Sequence, residues 1–175
     1  FQYNLEGNKI LSNAKVRMAL GNAVDPQSYV DNVLADGSVV ANGLVPTSIN
    51  GANDGKYVDG REDLLTHDVE GAKALFEEGL KELGMSVEDV GTLTYVCDDQ
   101  TKARTEAEYF QNQWKTVLGI DVEISPMSFK ARLDAMENGN FDIVFAGWTP
   151  DYNDAMTFLD MFMVGNGNNY GKYNN

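Results

Sequence analysis

Apolar positions recur at helical spacing through much of this chain and cluster in short, strand-like runs elsewhere. Val16, Ala19, Leu20 and Ala23 share a helical face behind Asn13, a residue suited to capping the first free N–H groups. Asp25-Pro26 restarts a helix as N-cap and first-turn proline, with Tyr29, Val30, Val33 and Leu34 inward. Asp68 opens a helix to about Leu83, with Val69, Ala72, Leu75, Phe76 and Leu80 on one side and Gly84 as its stop. Thr101 or Lys102 opens a longer one carrying Ala103, Ala107, Phe110, Trp114, Val117 and Leu118, closed by Gly119; an aromatic stripe at this spacing is core. Ser128 caps a short helix with Phe129, Leu133 and Met136, and a last one runs from about Asp154 to Phe162 with Phe158, Leu159 and Phe162 inward.

Between these helices lie the strands. Phe1–Leu5 and Leu93–Cys97 are short apolar runs, and Ile120, Val122 and Ile124 alternate with polar residues up to Pro126, expected to end that strand. Phe141, Ile143, Val144 and Phe145 form another. Strands alternate with helices from residue 68 onward, which predicts an α/β sandwich with a mostly parallel sheet flanked by helices. Residues 35–62 show little periodicity and form a long loop, either functional or packed against something else. Its Asn50–Glu62 part fails as a calcium loop, because Ala52 and Arg61 stand where ligating oxygens belong, and it is expected to be solvated. The Gly/Asn-rich stretch Gly165–Asn175 carries no core of its own and is expected to fray or to await a partner.

Charge narrows the function classes. With 27 acidic against 13 basic residues the chain carries −14, which argues against nucleic acid and anionic membrane as partners. No apolar run approaches the ~20 residues that span a bilayer. Cys97 is alone, which excludes an internal disulfide and a cysteine-based metal site, and it reads as a small buried hydrophobe. His67 is the only histidine and sits in a polar segment, where a surface position is expected.

The candidate chemistry concentrates at Asn140–Tyr152. Gly147 leaves room for another backbone, Pro150 ends ladder donation, and Asp151 places a carboxylate at the strand's mouth beside Trp148 and Tyr152. Ligands on such sheets bind at the carboxyl ends of strands. A cationic ligand group is therefore one candidate occupant; a turn or helix cap made by Asp151 is another. A carboxylate pair among Asp142, Asp151 and Asp154 would instead suit a small acidic α/β hydrolase, although Asp154 also fits as a cap of the following helix. An interaction domain recruited through loop 35–62 is a third class.

Several motifs together resemble one family. Asn13–Asp25, Gly43-Leu44-Val45-Pro46, Glu70–Gly79, Glu106–Ile124 and Asn140–Leu159 are similar, in order, to segments of the extracellular solute-binding proteins of the oligopeptide class, family 5, which feed ABC importers. The resemblance covers nearly the whole chain. It implies a periplasmic-binding-protein-like (type II) lobe: residues 1–175 as the carboxy-terminal lobe of a two-lobed clamshell, truncated, cut near the hinge at Phe1 and before the closing elements after Asn175. It further implies a binding protein without catalysis or cofactor. The oligopeptide ligand would lie between this lobe and a missing N-terminal lobe, and importer membrane subunits would be partners. The location implied is the extracellular face of the membrane, on a lipid-anchored parent, or the periplasm. Asp151 would pair with the ligand's α-ammonium, with Gly147, Trp148, Thr149 and Tyr152 beside the ligand backbone. Where some members carry an arginine three residues before the tryptophan, to meet a ligand carboxylate, this chain has Phe145; Pro150 also departs from the pattern and removes one donor.

Overall fold

The computed structural model describes residues 1–41, 43–62 and 66–174. Strands β1 (Gln2–Tyr3), β2 (Thr92–Asp98), β3 (Asp121–Met127) and β4 (Ile143–Val144) form one sheet in the order β1-β4-β2-β3. β2 runs parallel to both β3 and β4, and β1 pairs antiparallel with β4. Helices cover both faces, as the alternation of elements predicts.

Successive residues point to opposite faces, and the two cores follow that period. Tyr95, Cys97, Ile143 and Phe145 face one core, with α1 (Ala14–Asn22), α3 (Val69–Leu83) and α4 (Thr101–Leu118). Val96, Val144 and Ala146 face the other, with Leu133 and Met136 of α5 (Phe129–Glu137). The α4 stripe is core as expected: Phe110 and Trp114 are buried, and Trp114 Nε1 donates to the Leu20 carbonyl at 2.9 Å. Burial raises the Cys97 thiol pKa and so disfavours the thiolate, and His67 is exposed. Asn13 caps α1 and Asp68 caps α3 through side-chain acceptors, and Gly84 (φ 67°) and Gly119 (φ 73°) close α3 and α4 in the left-handed region.

Several expectations are corrected. Pro126 lies inside β3, in register with Cys97; β3 is an edge strand, where one missing donor breaks no inner ladder. Pro26–Ser28 is a single α-helical turn (α2) that widens into a π-helical stretch, Tyr29–Leu34, and its apolar side chains are half-buried rather than fully inward. The final helix is short, α6 (Met156–Leu159) followed by a 3₁₀ turn to Phe162, and its buried side includes Thr157 and Met161 as well as Phe158.

Neither long irregular segment is idle. Val45 and Ile49 from loop 35–62 are buried against Ala155, Phe158 and Met161, and the Asn50 N–H donates to Asn153 Oδ1 at 2.9 Å. Most of Asn50–Glu62 is solvent-exposed; Asn42 lies outside the described residues. The tail docks where fraying was expected. Leu5 N donates to the Gly171 carbonyl at 3.0 Å, Gly171 N donates to Gln2 Oε1 at 3.1 Å, and Tyr170 packs on the second core. Asn175 lies outside the described residues.

Candidate functional site

The site is built from the residue just before β4. Asp142 Oδ2 accepts the Thr94 N–H at 2.7 Å, and Asp142 N donates to the Thr94 carbonyl at 3.1 Å. Asp142 Oδ1 also accepts from Asn8 Nδ2 at 3.1 Å. A carboxylate so engaged anchors β4 to β2. After Val144 the chain leaves the sheet, with Phe145 N still bonded to the Val96 carbonyl at 3.1 Å. Phe145 turns its ring onto Phe110, 6.3 Å between centroids, so this position faces the α4 core and not the solvent. Residues 147–154 then run exposed beyond the carboxyl end of β4, the edge at which such sheets present ligands.

One hydroxyl shapes that exposed corner. Thr157, only 2% exposed, accepts from Trp148 Nε1 and from the Asp151 N–H, each at 3.3 Å. Trp148 is held with 40% of its surface open, and Tyr152 beside it is 50% open. A side chain added at Gly147 would meet nothing within 4 Å, so the backbone there is approachable. The carboxylate of Asp151 is exposed and makes no hydrogen bond or ion pair among the described residues. It therefore caps no turn. Asp154 accepts the Met156 N–H at 2.8 Å but is not the N-cap of α6, which is Ala155 and has no side-chain cap bond. Of the three carboxylates that a hydrolytic pair would draw on, Asp142 and Asp154 are committed to backbone N–H groups.

The residues proposed from the sequence, Gly147, Trp148, Thr149, Asp151 and Tyr152, thus fall on one exposed segment. Sequence reasoning missed Thr157 and Arg132. Arg132, on α5, is 6% exposed; its Nε donates to Asp98 Oδ1 at 2.9 Å, at the carboxyl end of β2. Its Nη1 reaches the Phe145 carbonyl at 3.4 Å and Met136 Sδ at 3.6 Å. A basic residue at helical spacing with Phe129 and Met136 was the available signal. Arg132, Phe129, Gly147, Trp148, Phe158 and Met161 are among the residues lining a groove of about 430 Å³. Among the described residues, no cluster of three His, Cys, Asp or Glu side chains could hold a metal ion, and no helix is long and apolar enough to cross a membrane.

Known proteins are similar to this chain in sequence and in fold. The chain is 34% identical over 172 residues to the oligopeptide-binding protein OppA of Bacillus subtilis, covering 97% of this chain and 30% of that relative's length. A crystal structure of a peptide-binding protein of a peptide ABC transporter superposes with a TM-score of 0.92 at 32% identity, over 99% of this chain and 77% of that one. Listeria monocytogenes OppA bound to peptide superposes with a TM-score of 0.86 at 36% identity, over 95% of this chain and 33% of that one. The fold is accordingly that of the periplasmic-binding-protein lobe. The family model for the middle region of the bacterial extracellular solute-binding proteins, family 5, matches residues 1–170, and the chain belongs to that family.

Proposed function

We propose that this chain is one lobe of a two-lobed substrate-binding component of an ABC importer, and that the ligand is an oligopeptide captured outside the cell membrane or in the periplasm. The observation that carries the reading is the Asp151 carboxylate: exposed, unpaired among the described residues, on the segment that follows β4, with its N–H bonded to the same Thr157 hydroxyl as Trp148. Such a group suits a peptide's α-ammonium, while backbone at 147–149 beside an open Gly147 suits main-chain pairing that ignores ligand sequence. The relatives named above are described as peptide binders, one with peptide bound, which supports the same class of ligand. The protein would act by binding and release, without turnover, and pass its ligand to the importer's membrane subunits. The second lobe would close over this one and exclude water. A charge-assisted hydrogen bond then contributes roughly 1.5–3 kcal/mol.

Calorimetry on the full-length protein tests this, with peptides carrying a free or an acetylated N-terminus. Acetylation is expected to weaken binding about tenfold or more, and Asp151→Asn to abolish the difference. Equal affinity for both forms in the unsubstituted protein would sink the ammonium assignment.

A further inference from the structure

The groove beside the proposed ammonium site holds a charge that peptide-backbone pairing does not use. Arg132 lines it and is nearly buried, in a chain of net charge −14. An arginine has five N–H donors. Here Nε is taken by Asp98, Nη1 makes only the long contacts at 3.4 and 3.6 Å, and Nη2 makes no hydrogen bond to any described residue. A buried guanidinium with free N–H groups on a cavity wall is matched in geometry and charge by a carboxylate. Asp98, which is not among the groove's lining residues, holds the guanidinium through Nε at 2.9 Å, so Arg132 is pre-oriented. Apart from Gln2 and Asn168 the remaining walls are mostly apolar and aromatic, Phe129, Leu133, Met136 and Trp148 among them, and suit the methylene stem that carries such a carboxylate.

We propose that Arg132 is a ligand-contacting specificity residue that receives a carboxylate of the bound peptide in this groove. The inference rests on the peptide-binding reading and deepens it. Position 145 offers no cation, and its ring is packed on Phe110; the guanidinium that meets the Phe145 carbonyl comes from α5 instead. Six residue steps separate Phe145 from Asp151, at most about 22 Å of extended chain. One extended peptide of up to about six or seven residues can therefore meet both groups. The carboxylate belongs either to an acidic side chain or to the peptide's own terminus, and the chemistry at Arg132 is the same.

Three alanine-based peptides with free amines separate these sources on the full-length protein: one with an internal Glu and an amidated terminus, one with a free terminus and no acid, one amidated and without acid. Calorimetry is expected to show one carboxylate-bearing peptide binding about tenfold tighter than the neutral one. Which one it is names the source. In Arg132→Gln that ratio falls to about one, and Arg132→Lys keeps part of it, since a point charge lacks the planar fork. The double variant Asp98→Asn, Arg132→Gln leaves no uncompensated buried charge, and it should likewise bind acid and amide alike. Equal affinity of all three peptides for the unsubstituted protein overturns the proposal without any variant, as does a ratio that survives Arg132→Gln. If peptides bind through their amine yet are blind to carboxylates, only this inference falls. If no peptide binds, the functional reading falls with it.

Discussion

The indole N–H of Trp148 and the hydroxyl of Thr157 meet at 3.3 Å, and this contact fixes an otherwise exposed aromatic plate at the mouth of the sheet. The same hydroxyl accepts from the Asp151 N–H, so one buried oxygen orients both the plate and the carboxylate-bearing residue. Thr157→Val keeps the shape and removes the acceptor. We expect a loss of about 1 kcal/mol in stability, because both donors lie near water and can turn to it. With 5-fluorotryptophan, the Trp148 resonance should move while that of buried Trp114 stays. An unmoved Trp148 signal would show that Thr157 does not hold it.

Asp142 substitutes a side chain for a stretch of sheet ladder. Its carboxylate bonds the Thr94 N–H and Asn8 Nδ2, which explains how β4 can be two residues long and still be locked to β2. Asp142→Ala leaves the Thr94 N–H without its acceptor in a part-buried place and should cost about 1.5–3 kcal/mol, read as a lower urea midpoint. A midpoint within error of the unsubstituted protein would remove its structural role and reopen a chemical one.

Gly171 lies against the Tyr3 carbonyl so closely that an added Cβ would run into it. Gly171→Ala is therefore expected to lift the tail from β1. The readout is hydrogen exchange at Leu5 N–H, which donates to the Gly171 carbonyl. Exchange there should quicken, whereas Gly167→Ala, with nothing within 4 Å of the new Cβ, should leave it unchanged.

The start of loop 35–62 is tied to α4 by Asp36. The Ser38 hydroxyl at 2.6 Å, then Lys102 at 3.0 Å, hold its carboxyl at about 2, below the ordinary 3.8. A depressed folded-state value means that this tether is fully present above pH 3.8 and is lost as pH falls through about 2. An NMR titration should give a midpoint near 2 that rises in Ser38→Ala and in Lys102→Met. A midpoint at the ordinary value would mean that the loop's start is untethered.

The elements that were legible were those whose information is local. Asn13, Asp68 and Ser128 cap helices because their short side chains bond N–H groups two or three residues on. Phe110 and Trp114 face inward because helical period and apolarity suffice to place them. Asp151, Trp148 and Tyr152 fall on one exposed corner because they are neighbours in sequence.

By itself the sequence determined the α/β class, the capped ends of α1, α3 and α4, the α4 stripe and the stretch that leaves the sheet after β4, all of which follow from period and capping chemistry. Only the tertiary structure decided what distant residues do to one another. Pro126 stays in its strand because strand order puts β3 at the edge, and the Gly/Asn tail docks because the Gln2 side-chain amide and the Leu5 N–H offer it partners. Thr157 and Arg132 acquire meaning only once α6 and α5 bring them to Trp148 and to the Phe145 carbonyl. A hydrogen bond lasts only at contact distance, and contact between segments far apart in sequence is set by packing, which no local pattern records.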